Sequence, residues 1–204
     1  MLSRSIVLIG TLILTLPTSV LAQGIREQVA SLRPGDSLQV TRSPMLPSMD
    51  LPAVVRGSES GIEGIIATKE AQITSDGSFV ETVYTVTVTR ALTGTGTVGS
   101  LMGPSIDVVV YGGNITVDGH DVHAVDTSLP PLEVGSEVVL FVKRTQSLPQ
   151  RFVLVAGPYS AFLIERGKIS SLLQADEAIR LKYDGMDAGA FRRAAQAAFA
   201  TGRD

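Results

Sequence analysis

The chain has 204 residues, 44% of them hydrophobic, a formal net charge of −3, and neither cysteine nor tryptophan. That balance excludes the basic footprint of a nucleic-acid binder and a polybasic lipid patch. The missing thiols exclude disulfides, a thiolate metal site, a cysteine nucleophile and a lipoprotein anchor.

Residues 1–22 read as a secretory signal peptide. Arg4 supplies the positive start, residues 6–16 form an apolar run, and Pro17 breaks it. Val20 and Ala22 then stand at −3 and −1 of a cleavage point before Gln23. The run is about 11 residues, against the roughly 20 of a spanning helix. Cleavage after Ala22 leaves 182 residues carrying a net charge of −4, expected to be soluble in the periplasm or outside the cell. No later stretch has the length and apolarity to span a bilayer.

Residues 23–52 form an irregular N-terminal segment, a tail or clasp. Residues 25–32 suit a short helix ended by the turn Arg33-Pro34-Gly35-Asp36. Pro44, Pro47 and Pro52 predict an extended, loop-like stretch after it.

Residues 53–165 carry a strand-rich pattern, the expected β-barrel domain. A strand over 62–73 is followed by the turn Thr74-Ser75-Asp76-Gly77, in which Asp-Gly signals a hairpin. Over 80–92 the chain alternates, with Tyr84, Val86 and Val88 on one face and Thr85, Thr87 and Thr89 on the other. A Gly/Thr loop covers 93–99. Residues 106–111 predict a continuous apolar strand, and Gly112-Gly113-Asn114 a turn. Residues 137–143 and 151–156 make a further strand pair, and 162–164 a last one before Arg166-Gly167. Five to seven short strands at this spacing suggest a small barrel or, alternatively, a β-sandwich.

In the C-terminal helical segment, 166–204, the period changes. Residues 170–183 and 187–201 are the expected helices. In the second, Phe191, Ala194, Ala195, Ala198 and Phe199 fall on one stripe beside Arg192, Arg193 and Gln196. That stripe packs on the barrel or docks on a partner. The fold class is thus mainly β with C-terminal helices (α+β).

The middle of the chain resembles a group of exported bacterial domains of unassigned role. The resemblance rests on Thr82-Val83-Tyr84-Thr85-Val86-Thr87-Val88 running to Leu92-Thr93-Gly94, on Val108-Val109-Val110-Tyr111-Gly112-Gly113, on residues 131–141 from Pro131 through Gly135 to Leu140-Phe141, and on residues 153–157. Thr93 stands where the group often has Lys, and the segment after Gly113 is longer and more charged. The resemblance implies a small, closed or partly open antiparallel barrel similar to the oligonucleotide/oligosaccharide-binding (OB) fold and to the inhibitory domain of tissue inhibitors of metalloproteinases. Those inhibitors chelate the target's zinc through an N-terminal cysteine. Gln23 is the expected N-terminus here, so that mechanism does not carry over.

Both histidines lie in Asp118-Gly119-His120-Asp121-Val122-His123-Ala124-Val125-Asp126. Imidazole and carboxylate are the ligands zinc or a similar divalent ion takes, so His120, His123, Asp118 and Asp121 are the candidate metal set. An i, i+3 pair in extended backbone points to opposite faces, which favours a polar hairpin loop instead. Gly94-Thr95-Gly96-Thr97-Val98-Gly99 matches a dinucleotide pattern, but Gly103-Pro104 and a strand follow where phosphate binding needs a helix N-terminus. In Gly57-Ser58-Glu59-Ser60-Gly61, Glu59 occupies a nucleophile's place, and Glu63, Glu70 and Glu81 sit on ordinary strand positions. The expected function is a non-catalytic binding or interaction module without a cofactor, whose partner is a protein or an envelope component. Its variable surface would be the loop 93–99 and the segment 112–126. The alternatives are a metal-dependent protein or enzyme centred on His120 and His123, and an extracellular protease inhibitor by fold analogy.

Overall fold

The computed structural model describes residues 24–92, 104–144, 151–173 and 178–201. The expected signal peptide and the Gly/Thr loop 93–99 therefore lie outside the described residues. Helix α1 (Ile25–Ala30) and strand β1 (Leu38–Arg42) open the chain, followed by α2 (Leu51–Gly57). The strands continue as β2 (Ser60–Ile73), β3 (Val80–Ala91), β4 (Ser105–Tyr111), β5 (Gly113–Val117), β6 (His120–Asp126), β7 (Glu137–Arg144), β8 (Arg151–Leu154), β9 (Ala161–Glu165) and β10 (Lys168–Ser171). Helices α3 (Ala178–Tyr183) and α4 (Ala188–Thr201) close it. The fold is mainly β with C-terminal helices.

Five strands are hydrogen-bonded into a ring in the order β2, β3, β4, β8, β7 and back to β2. Every neighbouring pair is antiparallel except β4 and β8. Two register shifts in β2, at Glu63/Gly64 and Ile66/Thr68, bend that strand as ring closure requires. Strand β7 shares its second edge: Val138–Leu140 pair with β9, and Val142–Arg144 pair with β8. Its run Val138-Val139-Leu140-Phe141-Val142 is buried on both faces, and that is why it reads as continuous rather than alternating.

Period two divides those residues between two cores. Val138, Leu140 and Val142 fill the ring interior with Ile62, Ile66, Tyr84, Val86, Ile106, Val108 and Phe152. Val139 and Phe141 face outward onto α2, α4 and β9, where Phe162, Phe191 and Phe199 gather around Phe141. The apolar stripe expected on the last helix is thus spent inside the molecule: Phe191 and Ala195 are fully buried.

Strands β1, β6 and β5 make a second, three-stranded sheet, with β1 parallel to β6. Its apolar face, with Val117, Val122 and Ala124, packs on α1 and on the arm of the β2–β3 hairpin through Val80, Ala71 and Ile73.

Several local expectations change. The N-terminal segment contains β1, whose pairing partner lies 84 residues later and leaves no local signal. Pro52 belongs to the first turn of α2, where a missing N–H costs nothing, and Asp50 caps that helix by accepting from the Ala53 N–H at 2.8 Å. The chain passes from β4 through Gly112 directly into β5, so the expected turn is a crossing between sheets. Residues 113–126 form a hairpin whose turn, Asp118-Gly119, has φ of 49° and 84°, the two positive values of a type I′ turn. Arg166-Gly167 (52° and 77°) does the same between β9 and β10, so Lys168–Ser171 is strand where a helix over 170–183 was expected. Only Ala178–Tyr183 of that range is helical among the described residues.

Candidate binding groove

A groove of about 720 Å³ lies outside the ring where β4 and β8, the β2–β3 turn and the end of β1 converge. Tyr111, the last residue of β4, projects into it and stays 44% exposed. Two neighbours hold its ring. Phe79, at the entrance to β3, meets it edge-on at 6.1 Å between centroids and 66°. The guanidinium of Arg42, at the end of β1, lies 3.9 Å from its centroid.

Arg42 is placed by the parallel register, which sets it opposite Asp126 on β6. Its Nε lies 3.6 Å from Asp126 Oδ2, an ion pair rather than a hydrogen bond. Asp126 Oδ1 accepts from the Ser128 backbone N–H at 2.8 Å and from Ser128 Oγ at 2.6 Å, so this 8%-exposed carboxylate is rigidly oriented. The Thr127 N–H donates to the Arg42 carbonyl at 2.9 Å, tying the same corner through the backbone.

Two more carboxylates line the groove. Glu81, across the β3–β4 ladder from Tyr111, accepts from Gln72 Nε2 at 2.7 Å and faces Arg151 at 3.8 Å. Asp76, in the β2–β3 turn, accepts from Thr74 Oγ1 at 2.6 Å, Ser78 N–H at 3.1 Å and Ser78 Oγ at 2.8 Å. Those donors, Thr74 first, hold its pKa down to about 2. The apolar part of the wall comes from Leu46, Leu129, Val153 and Val155.

A second cavity of about 460 Å³ lies on the other side of Tyr111 and Asp126, which wall both. Lys69 and Tyr84 line it. Lys69 donates to Glu133 at 2.7 Å, which raises its pKa, and burial raises that of Tyr84.

The structure separates the candidate metal residues. His120 lies on the face of β6 that carries Val122 and Ala124, and its Nδ1 is 2.9 Å from the Asp36 carbonyl. His123 lies on the opposite face, with Nδ1 3.1 Å from Asn114 Oδ1. Asp121 accepts from Thr116 at 3.1 Å, and Asp118 sits in the hairpin turn. Among the described residues no group of three or more His, Asp or Glu side chains is placed to hold a metal ion.

No family model, curated protein or solved structure matches the chain. The groove residues Arg42 and Phe79 carried no sequence signal, and Asp76 carried one only as part of the Asp-Gly turn. Tyr111 did carry one, an aromatic residue ending an apolar strand just before Gly112-Gly113, where burial stops and the chain leaves the sheet.

Proposed function

We propose that this chain is an exported, non-catalytic binding module on an OB-like barrel, and that its ligand site is the groove around Tyr111. The export reading rests on Arg4, the apolar run 6–16 and the Val20/Ala22 cleavage pattern. Five strands in a bonded ring, with the single parallel pair between its third and fifth strands, support the barrel reading. In OB barrels the face of the second and third strands and the loop between the first two carry ligands. Counted from β2, those features are β3, β4 and the turn at Thr74–Phe79, which all line this groove. The partner is a protein or an envelope component.

The observation that carries the reading is Tyr111: a large aromatic ring kept exposed in a concave site, yet held in orientation by Arg42 and Phe79. An orientated ring loses little entropy when it engages a ligand. The test is a panel of neutral oligosaccharides and of neutral, acidic and basic peptides, read by amide chemical shifts on the 15N-labelled protein. A ligand that shifts Phe79, Tyr111 and Asp126, and fails to do so in Tyr111→Ala, supports the proposal. A panel that leaves those amides unmoved overturns it.

A further inference from the structure

We propose that the ligand is a basic peptide segment, and that its arginine side chain takes the corner between Tyr111 and Asp126 that the chain's own Arg42 otherwise fills. This rests on the groove being the binding site.

Arg42 itself demonstrates what the corner accepts. A planar cation lies over the Tyr111 ring at 3.9 Å with its edge 3.6 Å from the Asp126 carboxylate. Stacking of a guanidinium on an aromatic face beside an acid is the geometry that distinguishes arginine from other side chains. The carboxylate is kept in place independently of Arg42, because Ser128 supplies two hydrogen bonds to its other oxygen. The corner therefore persists when Arg42 leaves.

Arg42 is held weakly. Its side chain is 40% exposed, and the contact to Asp126 exceeds hydrogen-bond length. A partly exposed ion pair and an exposed cation–π contact are each worth no more than about a fivefold factor in an equilibrium. A peptide arginine that also buries neighbouring residues along the groove out-competes it.

The remaining charge favours the same ligand. Asp76, Glu81 and Asp126 line the groove with Arg42 as the one basic residue among those lining it. Arg151 answers Glu81 from outside, but among the described residues no basic side chain lies within 4.0 Å of Asp76. Asp76 stays ionised through the whole physiological range. It supplies a standing negative charge on the turn that also carries Phe79. Leu46, Leu129 and Val155 offer apolar wall to the methylene stem of an arginine. The volume of about 720 Å³ admits a few residues of peptide.

The experiment titrates the labelled full chain with capped Gly-Arg-Gly-Arg-Gly, its lysine and glutamate counterparts, and a neutral oligosaccharide. Both backbone amides and the Arg42 Nε–H are observed. The arginine peptide is expected to shift Phe79, Tyr111 and Asp126. It should also move the Arg42 Nε–H away from its ring-shifted position, as stacking on Tyr111 is lost. Arg42→Ala should tighten binding by about three- to fivefold, because it removes the internal competitor, while Asp126→Asn and Asp76→Asn weaken it by a similar factor. Asp76 is at the surface, so its variant keeps the test open should Asp126→Asn fail to fold. If Arg42→Ala weakens arginine-peptide binding, or the glutamate peptide binds equally well, the inference is overturned. Tyr111-dependent binding of the oligosaccharide alone also overturns it while leaving the groove reading intact. Silence across all four probes removes both.

Discussion

Arg192 on α4 makes a two-point contact with the carboxylate of Glu63 on β2, its Nη2 donating at 2.8 Å to Oε1 while Nε donates to Oε2. The two residues are 129 positions apart, and the Glu63 side chain is only 6% exposed. This pair fixes the last helix against the ring at the register shift of β2. It also raises the Arg192 pKa, first through the hydrogen bond to Glu63. Charge-assisted, forked contacts of this kind orient as well as attract.

Removing one partner leaves an uncompensated buried charge. Arg192→Ala is expected to destabilise by about 2–4 kcal/mol in urea denaturation, somewhat less than the roughly 3–5 kcal/mol of a fully buried pair because Arg192 is partly exposed. The double variant Glu63→Met/Arg192→Met should recover most of that loss, since a packed apolar pair avoids the desolvation cost. A double variant as unstable as Arg192→Ala would show that the pair is needed as a pair.

Phe191 is fully buried, with its ring centroid 4.8 Å from Phe162, 5.3 Å from Tyr183 and 6.5 Å from Phe141. Phe191→Ala is expected to cost about 3–5 kcal/mol by the same measurement. If α4 instead served a partner and contributed little to the fold, the loss would stay below about 1 kcal/mol.

Gly64 sits where β2 bends. A Cβ there would stand 2.5 Å from the Thr87 carbonyl oxygen and 2.7 Å from a Val86 methyl. Backbone cannot yield as a flexible side chain does, so Gly64→Ala should destabilise by about 2 kcal/mol or more. A thermal melt unchanged from that of the parent would show that the strand relaxes around the methyl group.

The Asp76 carboxyl should titrate with a midpoint near 2 by carbon NMR. Thr74→Val, which removes the hydroxyl that lowers it most, should move the midpoint toward the ordinary value of about 3.9. Because the folded pKa lies below the unfolded one, Asp76 stabilises the protein above about pH 4, and that contribution is lost as the pH falls toward 2. A midpoint near 4 in the parent would contradict the hydrogen-bonded turn.

Zinc dialysed against the protein should leave no stoichiometric ion, since His120 and His123 occupy opposite faces of β6 with separate partners. One retained equivalent, lost in His120→Ala/His123→Ala, would require the hairpin to rearrange.

Local patterns legible in the sequence include the period-two alternation of β3, the Asp-Gly turn before it, the apolar runs of β4 and β7, and the amphipathic stripe of α4. Each depends on neighbours within a turn or a few residues, so residue order alone carries it. Strand β1, the closing β4–β8 pair and the Glu63–Arg192 contact are different in kind. They join residues far apart in sequence, and nothing local marks which strand a chain segment will meet. The same holds for the candidate site. The two histidines stood out because they are close in sequence, yet period two sends them apart. The groove draws Arg42, Tyr111 and Asp126 from three strands and Asp76 and Phe79 from the β2–β3 turn, and their common neighbourhood exists only once the ring closes and β1 pairs with β6. Residue order determined strands β2, β3, β4 and β7 and the alternation of their faces, because those follow from local stereochemistry and burial. Tertiary structure alone decided the partners, because pairing is settled by the shape and closure of the whole chain.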